Sequence, residues 1–378
     1  MQRHAEIAGG GIGGLGLGLM LVRHGWTVRV HERSNEIREV GAGIYIKNNS
    51  IGVLEHYGIY PKLEPLGTQL QYARIRNAEG RVMQQRPLAG HHRVLVLPRQ
   101  SLVDTLAASA QEAGVEIVTG SQIVGADTSG ALIDAQGRRF AADLAVAADG
   151  FRSKVRDSLN IGASSRELGT LINRYLVATR SFTEEAVTTE HWSGPRRIGI
   201  TPSGAGHSYA YVVMPRGDAG GSRLPLDVAD WSRSHPALKT ELAIFSESEV
   251  TQYPYVLVDC PRWSVGRVAI VGDAAHGLPP TLGQGAGLTL MNSHALAQIV
   301  SEASDVRQGL ADWERTVRFI SDATQRWAVR YDRFTRQWPQ SLRLLRPAIV
   351  WAFGNFRFLN DRMRIADRGL TATSVRLN

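Results

Sequence analysis

Residues 5–14 read AEIAGGGIGG, and this stretch decides the fold prediction. A short apolar run enters a glycine-rich turn, and residues 13–24 continue with the pattern of a helix. Gly9, Gly11 and Gly14 fit the spacing G-x-G-x-x-G. In that motif the first glycine allows a tight turn, the second lets a pyrophosphate approach the backbone, and the third lets helix and strand pack closely. The phosphates lie at the helix N-terminus, whose free N–H groups favour anions.

A second strand and an acidic residue complete a βαβ unit. Residues 27–31 alternate as a strand does, and Glu32 follows at the place where an acid accepts hydrogen bonds from ribose hydroxyls. The motif alone does not separate FAD from NAD, and a glycine-rich helix that packs without any ligand is the alternative. The cofactor-binding residues predicted in this unit are Gly9, Gly11, Ile12, Gly13, Gly14, Glu32 and Arg33.

Two later pairs of glycine and aspartate each end an apolar, strand-like run. Asp149-Gly150 opens a D-G-x-x-S-x-x-R sequence that ends at Arg156. Gly272-Asp273 is followed by Pro280, Gly283-Gln284-Gly285 and a helix from about Gly287. With the first turn, these segments predict one FAD held by parts of the chain that are distant in sequence.

The three motifs in this order resemble the single-component aromatic flavoprotein monooxygenases, the class A or p-hydroxybenzoate hydroxylase-like family. The resemblance covers about residues 5–300. It implies that Asp273 binds the ribityl chain of FAD, that Pro280 and the glycines after it approach the isoalloxazine, and that the Asp149 segment serves both FAD and NAD(P)H. Further cofactor contacts implied by the resemblance are Arg38, Gly43, Arg99, Gly150, Gly272, Gly283, Gly285, Ala286 and Gly287.

Two positions depart from the commonest family pattern. Gly287 stands where the family often has Asn, and Asn292 where it often has Asp. Both are similar to the branch that acts on pyridine compounds, the pyridine-carboxylate oxygenases. Arg156 has three open interpretations, which are a turn-stabilising residue, a structural ion pair and a contact to nicotinamide phosphates. His276 is interpreted as part of the FAD loop in preference to a general base.

The arrangement of segments predicts an α/β fold with a discontinuous FAD-binding Rossmann-like domain. After about residue 165 the chain becomes rich in strand patterns separated by Gly, Pro and Ser, which predicts an inserted, mostly antiparallel sheet. We predict an FAD-binding domain of residues 1–67, 93–165 and 256–330, and a substrate domain of residues 68–92 and 166–255. Residues 331–378 are expected to be helical, with the stretch from Leu342 packing on the body or, as an alternative, lying on a membrane surface.

The inserted sheet supplies the predicted substrate site. Residues 208–214 alternate, which places Tyr209, Tyr211 and Val213 on one face. Arg197 and Tyr209, with Tyr72 upstream, are spaced as in the pyridine-carboxylate oxygenases, which implies that they surround the substrate. An arginine can pair with a carboxylate and a tyrosine can hydrogen-bond a ring hydroxyl, although both are more ordinarily rim or packing residues. The predicted substrate-binding residues are Tyr45, Tyr72, Arg174, Arg197, Tyr209 and Tyr211, and Tyr72, Arg197, Tyr209 and Pro280 are the catalytic candidates.

Composition limits the class of protein. The chain has 378 residues, of which 43% are hydrophobic and 21% charged, as in a globular protein of about two domains. No apolar run reaches the ~18 residues of a membrane span. Arg3 leads into a glycine turn and not into a signal-peptide core, so we expect a cytoplasmic protein without a membrane partner.

Cysteine count and charge exclude further classes. Cys260 is the sole cysteine, so an intrachain disulfide is excluded and no metal site is expected. The net charge of +8 would attract an anionic substrate and nucleotide phosphates. Nucleic-acid binding is the alternative, but no nucleic-acid module is recognisable. We expect a monomer or a homodimer.

The resemblance implies an FAD-dependent monooxygenase. In that family NADH or NADPH binds transiently and reduces FAD, O2 forms a flavin C4a-hydroperoxide, and an aromatic ring is hydroxylated. The expected substrate is a small, anionic, hydroxylated aromatic or N-heteroaromatic acid, and the resemblance to the pyridine-carboxylate oxygenases implies ring opening as a further outcome. Alternatives are a flavin reductase with a long apolar tunnel, a halogenase, whose Trp-x-Trp signature is missing, and a non-catalytic dinucleotide-binding protein.

Overall fold

The computed structural model describes residues 2–38, 41–88, 92–204, 206–338, 345 and 365–372. The strands are β1 His4–Ala8, β2 Thr27–His31, β3 Gly43–Lys47, β4 Thr68–Gln69, β5 Tyr72–Asn77, β6 Val82–Pro87, β7 Val94–Pro98, β8 Glu116–Val118, β9 Ile123–Asp127, β10 Ala131–Asp134, β11 Arg139–Ala141, β12 Leu144–Ala147, β13 Ser164–Val177, β14 Val187–Ser193, β15 Arg196–Pro202, β16 Ser208–Pro215, β17 Thr251–Asp259, β18 Ser264–Val265 and β19 Val268–Ile270. The α-helices are α1 Ile12–Arg23, α2 Asn48–His56, α3 Tyr60–Leu63, α4 Arg99–Glu112, α5 Lys154–Ser158, α6 Val228–Ser234, α7 Lys239–Glu247, α8 Asp273–His276, α9 Gly285–Glu302 and α10 Val306–Arg336.

The first sheet brings the three glycine-containing turns to one edge. Its strands lie in the order β18-β19-β12-β1-β2-β8, and every neighbouring pair is parallel except β18 and β19. Ala8 pairs with Ala147, which in turn pairs with Ile270. Because the carboxyl ends of parallel strands meet at one edge, the turns after β1, β12 and β19 converge there. The predicted α/β cofactor-binding fold is confirmed.

The second large sheet has seven strands in the order β17-β13-β16-β15-β14-β5-β6. Its neighbouring pairs are antiparallel apart from β14 with β5, so the predicted mostly antiparallel insert is confirmed. β13, Ser164–Val177, begins close to residue 165, where the strand-rich part of the chain was expected to start. The two smaller sheets, β11-β10-β9 and β3-β7-β4, flank these two. The domain boundaries stay a prediction, and β17 crosses the one proposed between residues 255 and 256.

Two helices that cover the insert were missing from the sequence prediction. α6 begins after Asp227, whose side chain accepts a hydrogen bond from the Asp230 N–H at 2.9 Å. Trp231 of α6 and Phe245 of α7, the second of the two helices, are buried against one face of β16. That face carries Ala210, Val212 and Met214. The predicted alternation of β16 is therefore correct, and its other face, with the tyrosines, is free to line a site.

The chain ends in helical segments. The first residues of the part expected to be helical, from residue 331, belong to α10, which begins earlier, at Val306. A 3₁₀ helix, Ile365–Ala372, packs on α2, α9 and α10. The helix predicted from Leu342 lies almost entirely outside the described residues. Among the described helices, none combines the length and the apolar character that crossing a bilayer requires.

Candidate active site

A cavity of about 770 Å³ lies between the glycine turns of the first sheet and the tyrosine face of the second. The sequence-predicted residues that line it on the cofactor side are Gly11, Ile12, Gly13, Gly43, Arg99, Gly150, Gly272, Asp273, Pro280, Gly283, Gly285 and Ala286. Those that line it on the substrate side are Tyr45, Arg174, Arg197, Tyr209 and Tyr211. The structure thus gathers most of the predicted residues around one space. Gly9, Gly14, Glu32, Arg33, Arg38, Asp149, Gly287 and Tyr72 do not line it.

The first turn is a close-packed cradle. Gly9 has φ +110°, and a Cβ there would lie 2.4 Å from the Ala148 carbonyl oxygen. A Cβ at Gly14 would lie 1.9 Å from the Gly9 carbonyl oxygen. Neither overlap can be relieved by moving a side chain, because the atoms met are backbone. The first turn of α1 carries no acidic residue and opens into the cavity through Gly11 and Gly13, which suits a phosphate.

Glu32 stabilises this turn through hydrogen bonds to its carboxylate. Its Oε2 accepts a hydrogen bond from the Gly10 N–H at 2.8 Å, and its Oε1 accepts one from the Ser34 N–H at 2.9 Å. A carboxylate has about four acceptor sites, so two remain for ribose hydroxyls. Arg33 and Arg38 are exposed, and Arg38 faces Glu36 at 3.5 Å. The structure gives no support to FAD contacts by these two arginines.

The Asp149 turn presents an unfilled acceptor. Asp149 Oδ2 accepts a hydrogen bond from the Val155 N–H at 3.3 Å, while Oδ1 is buried without a hydrogen-bond partner among the described residues. Burial raises the pKa of this carboxyl. A buried acceptor without a donor beside the cavity fits a hydroxyl or N–H group of a bound cofactor. Together with the glycine cradle, this shows that the residues present fit FAD.

Arg156 is a structural residue of the same turn. Its guanidinium is buried and donates to the carbonyl oxygens of Phe151 and Ala274, each at 3.1 Å. It also lies 2.8 Å from Asp157. Of the three interpretations of Arg156, the geometry favours stabilisation of the turn, because Arg156 does not line the cavity.

The loop before α9 forms the wall on which a flavin would lie. Residues Pro280–Leu282 form a 3₁₀ turn that ends at Gly283, with φ +59°. Lys47 Nζ donates to the Leu282 carbonyl oxygen at 2.5 Å, and Thr281 donates to the Ala328 carbonyl oxygen at 3.0 Å. α9 then starts at Gly285 with no acid in its first turn. Its N-terminus can stabilise negative charge on a flavin.

The two departures from the family pattern have structural explanations. A Cβ at Gly287 would lie 2.7 Å from Asn49 Oδ1, so the amide of Asn49 occupies the space a side chain would need. Asn292 lies away from the cavity and joins α9 to α8 and α10. Its Nδ2 donates to His276 Nε2 at 3.1 Å and to Ser321 Oγ at 3.0 Å.

His276 lies in this buried network and does not line the cavity. Burial lowers its pKa to about 4, so the imidazole is neutral at pH 7. Cys260 is also buried, and burial raises the pKa of its thiol to about 11. Neither side chain is placed to react in the cavity. Among the described residues, no His, Cys, Asp and Glu side chains group in a way that could hold a metal ion.

The structure does not bring Tyr72 into the cavity with the other predicted substrate residues. It lies in β5 opposite Pro87, with 40% of its surface exposed, and it does not line the cavity. The alternation of β5 points its neighbours Ala73 and Ile75 to the cavity instead, although Arg74 also lines it. A spacing in sequence could not reveal which face of β5, which lies between β14 and β6, is turned toward the cavity.

Arg197 lies in the cavity wall, but acidic groups already face it. It is 2% exposed, with Nη1 3.7 Å from Glu190 Oε1 and Nη2 4.0 Å from Asp332 Oδ1. Arg174, by contrast, forms no ion pair with a described residue, and its buried Nε has no described partner. It lies 5.9 Å from the ring centre of Tyr253. Arg174 is thus the better placed of the two to meet an anionic or carbonyl oxygen.

Glu190 is a cavity residue that sequence reasoning missed. Its Oε1 accepts a hydrogen bond from the Tyr211 hydroxyl at 2.8 Å, and its Oε2 accepts one from Trp192 Nε1 at 2.6 Å. The alternation of β14 was the available signal, because Thr188, Glu190 and Trp192 all line the cavity from one face.

The three predicted tyrosines among those that line the cavity keep their protons but make different hydrogen bonds. Burial raises the pKa of Tyr45, Tyr209 and Tyr211, and the neighbouring Glu190 raises that of Tyr211 further. Tyr211 donates its proton to Glu190, and Tyr45 bonds with Thr201 at 2.6 Å and Thr188 at 3.1 Å. Tyr209 makes no side-chain hydrogen bond with a described residue, so its hydroxyl can donate into the cavity.

The sequence of residues 3–316 matches the FAD binding domain family. The chain is 36% identical to a 2-heptyl-3-hydroxy-4(1H)-quinolone synthase of Mycobacteroides abscessus, over 83% of this chain and 86% of that protein. It is 29% identical to a 3-hydroxybenzoate 6-hydroxylase of Polaromonas naphthalenivorans, over 77% and 78% of the two chains.

The fold is similar to that of a solved oxygenase of the same kind. A tetrameric form of 2-methyl-3-hydroxypyridine-5-carboxylic acid oxygenase superposes with a TM-score of 0.86 and 29% identity, over 97% of this chain and 96% of that chain. Family match, relatives and cavity geometry agree. This chain belongs to the FAD binding domain family and is an FAD-dependent monooxygenase of the aromatic hydroxylase type.

Proposed function

We propose that this monooxygenase hydroxylates an oxo- or hydroxy-substituted N-heteroaromatic ring of the quinolone or pyridine class. The observation that carries the proposal is that the cavity wall contains both hydrogen-bond donors and hydrogen-bond acceptors. Tyr209 and Arg174 offer hydrogen-bond donors, whereas Glu190 and the oxygen of Tyr211 offer acceptors. A ring that carries both a carbonyl or hydroxyl oxygen and an N–H group matches such a wall.

The names of two relatives support this ring class. One synthesises a 3-hydroxy-4(1H)-quinolone and another oxygenates a 3-hydroxypyridine. Apolar side chains also line the cavity, including Leu70, Ile75, Leu88 and Phe334. They would accommodate an alkyl substituent on the ring, as a heptyl group requires.

A carboxylate held by Arg197, as expected from the sequence, is less well supported. Glu190 and Asp332 lie within 4.0 Å of its guanidinium and balance its charge. A carboxylate on the substrate would instead meet Arg174. Ring opening after hydroxylation remains a part of the proposal only for substrates of the pyridine type.

Bound FAD would supply the oxygen-transferring chemistry after reduction by NADH or NADPH and reaction with O2. The protein would hold its phosphates at the N-terminus of α1, its ribose at Glu32, its ribityl chain at Asp149 and Asp273, and its ring against Pro280–Gly285. The inserted sheet would exclude water and hold the substrate ring in place. A monomer or homodimer stays our expectation, although the similar oxygenase also forms a tetramer.

The proposal is tested with purified protein. FAD content is read from the flavin spectrum, and NADH and NADPH oxidation is then measured with 2-heptyl-4(1H)-quinolone and with 3-hydroxypyridine-5-carboxylate. We expect one of them to stimulate oxidation and to gain one oxygen atom by mass spectrometry. Turnover without O2 would instead indicate a reductase, and protein that cannot bind flavin would contradict the assignment altogether.

A further inference from the structure

We propose that Glu190 is a specificity-determining residue, whose carboxylate accepts a hydrogen bond from a ring N–H or O–H of the substrate. The inference rests on the proposed function, because it concerns the same cavity. The proposed function leaves open which group of the protein selects a ring that carries an N–H group over a ring without a hydrogen-bond donor. We assign that selection to Glu190.

The position of Glu190 makes it available to a ligand. It lies in β14 between Thr188 and Trp192, and all three side chains line the cavity. The side chain of Glu190 is 17% exposed, and it lines the cavity. An acid in such an enclosed place is desolvated unless the protein or a ligand donates to it.

The carboxylate is held firmly but is not saturated. Tyr211 donates to Oε1 and Trp192 donates to Oε2, at 2.8 and 2.6 Å, and Arg197 lies 3.7 Å from Oε1. Since a carboxylate has about four acceptor sites, two are left after the Tyr211 and Trp192 hydrogen bonds. An acceptor whose orientation is set before the ligand arrives loses little entropy on binding.

Tyr211 and Tyr209, which lie near Glu190, add to the selection of a ring that carries an N–H group. Because the Tyr211 proton is directed at Glu190, the Tyr211 oxygen can only accept toward the cavity. A carboxylate or a phenolate placed against Glu190 and the Tyr211 oxygen would therefore meet acceptors, while the charge of the nearby Arg197 is already balanced by Glu190 and Asp332. Tyr209, whose ring centre lies 5.8 Å from that of Tyr211, provides a donor beside these acceptors.

This arrangement fits a neutral lactam-type ring with its N–H at Glu190 and its carbonyl at Tyr209 or Arg174. A 4(1H)-quinolone has both groups. A simple benzoate has no ring donor, so the acceptor sites of Glu190 that Tyr211 and Trp192 leave open would stay unfilled.

The experiment compares two probes that differ at one ring atom. 2-Heptyl-4(1H)-quinolone carries the ring N–H, and 2-heptylchromone has a ring oxygen in its place. The dissociation constant of each is measured on the FAD-loaded protein from the change in flavin absorbance. The proteins are the wild type, Glu190→Gln and, as a matched control, Glu185→Gln, which removes an exposed charge five residues earlier on the same chain segment.

We expect the wild type and Glu185→Gln to bind the quinolone about tenfold or more tightly than the chromone, since a charged hydrogen bond contributes about 1.5–3 kcal/mol. In Glu190→Gln that ratio should fall to near one. A wild type that binds both probes equally, or binds neither, overturns the inference without any variant. The same holds if Glu190→Gln, with FAD bound, keeps the wild-type ratio.

The outcome separates the inference from the proposed function. Ten-fold discrimination without oxygen transfer to the quinolone would contradict the proposed function while supporting the role of Glu190. Oxygenation of both probes with equal dissociation constants would support a monooxygenase and overturn the role of Glu190.

Discussion

Arg156 Nη1 donates a hydrogen bond to the carbonyl oxygen of Ala274 at 3.1 Å, and this bond ties the Asp149-Gly150 turn to the Gly272-Asp273 turn. The two turns are far apart in sequence, yet each must take its place before a cofactor can bind between them. A buried guanidinium with several fixed donors can hold two backbone segments at once. Arg156 thus assembles the FAD site without lining the cavity.

Replacing Arg156 by Met should therefore loosen both turns. The carbonyl oxygen of Ala274 would be left buried without this donor, and we expect a loss of about 2–4 kcal/mol in the free energy of unfolding. FAD should also dissociate more readily. Urea unfolding and the dissociation constant of FAD measure the two effects. Arg152→Met, at an exposed neighbouring arginine, is the control and should change neither.

Gly14→Ala should weaken FAD binding. The added methyl would lie 1.9 Å from the Gly9 carbonyl oxygen and push the phosphate turn apart. We expect FAD to bind about tenfold or more weakly, which corresponds to about 1.4 kcal/mol or more. Gly18→Ala is the matched control in the same helix, because its methyl meets only side-chain atoms, at 3.3 Å or more. Equal FAD affinity in the two variants would contradict the cradle described for α1.

Gly199→Ala should disturb the substrate wall and leave the cofactor in place. A Cβ at residue 199 would lie 2.0 Å from Cζ of Tyr211, so the ring must move and its bond to Glu190 must break. We expect normal FAD content. The KM for the substrate should rise about tenfold, which corresponds to the loss of one hydrogen bond to a charged group. Gly217→Ala, where a methyl meets nothing within 4 Å, should behave as the wild type.

Arg197→Met should lower stability in a pH-dependent way. Glu190 and Asp332 would lose the cation between them, and removal of one partner from a buried ion pair costs about 3–5 kcal/mol. Burial already raises the pKa of Asp332, and loss of Arg197 should raise it further. An acid whose pKa is raised by folding is destabilising when ionised, so stability should be lower at pH 8 than at pH 4, which lies close to the ordinary Asp pKa of 3.8.

The melting temperature of Arg197→Met against pH measures this effect. Arg216→Met, at an exposed ion pair with Glu167, is the control and should show no added pH dependence. A double variant that also carries Glu190→Gln should recover part of the lost stability at pH 8. If Arg197→Met has wild-type stability at both pH values, the buried charge cluster is not as described.

His276 should make the protein acid-sensitive. Burial lowers the pKa of its imidazole to about 4, below the ordinary value of 6.5. Between these pH values the unfolded chain binds a proton that the folded chain does not, so stability should fall as the pH drops from 6.5 to 4. The contribution is about 1.4 kcal/mol per pH unit. His276→Gln should flatten the unfolding free energy across this window, relative to its own value at pH 8.

The sequence by itself determined the cofactor and the order of the fold. G-x-G-x-x-G between two strand patterns, followed by Asp149-Gly150 and Gly272-Asp273 at strand ends, was sufficient because each motif depends on local backbone geometry. Because β1, β12 and β19 are neighbouring parallel strands, the three turns that follow them meet at one edge of the sheet. The alternation of residues 208–214 likewise predicted which face of β16 is turned to the cavity, because a strand has only two faces.

Tertiary structure alone decided which polar groups meet across the cavity. The sequence could not show that the Tyr72 side chain is exposed and does not line the cavity, or that Arg197 is balanced by Glu190 and by Asp332, a residue 135 positions further along the chain. Charges and hydrogen bonds act through space, so their partners depend on how β14, β15 and α10 pack together. For that reason local motifs were sufficient to predict the cofactor. The polar groups that surround the substrate could be assigned only from the tertiary structure.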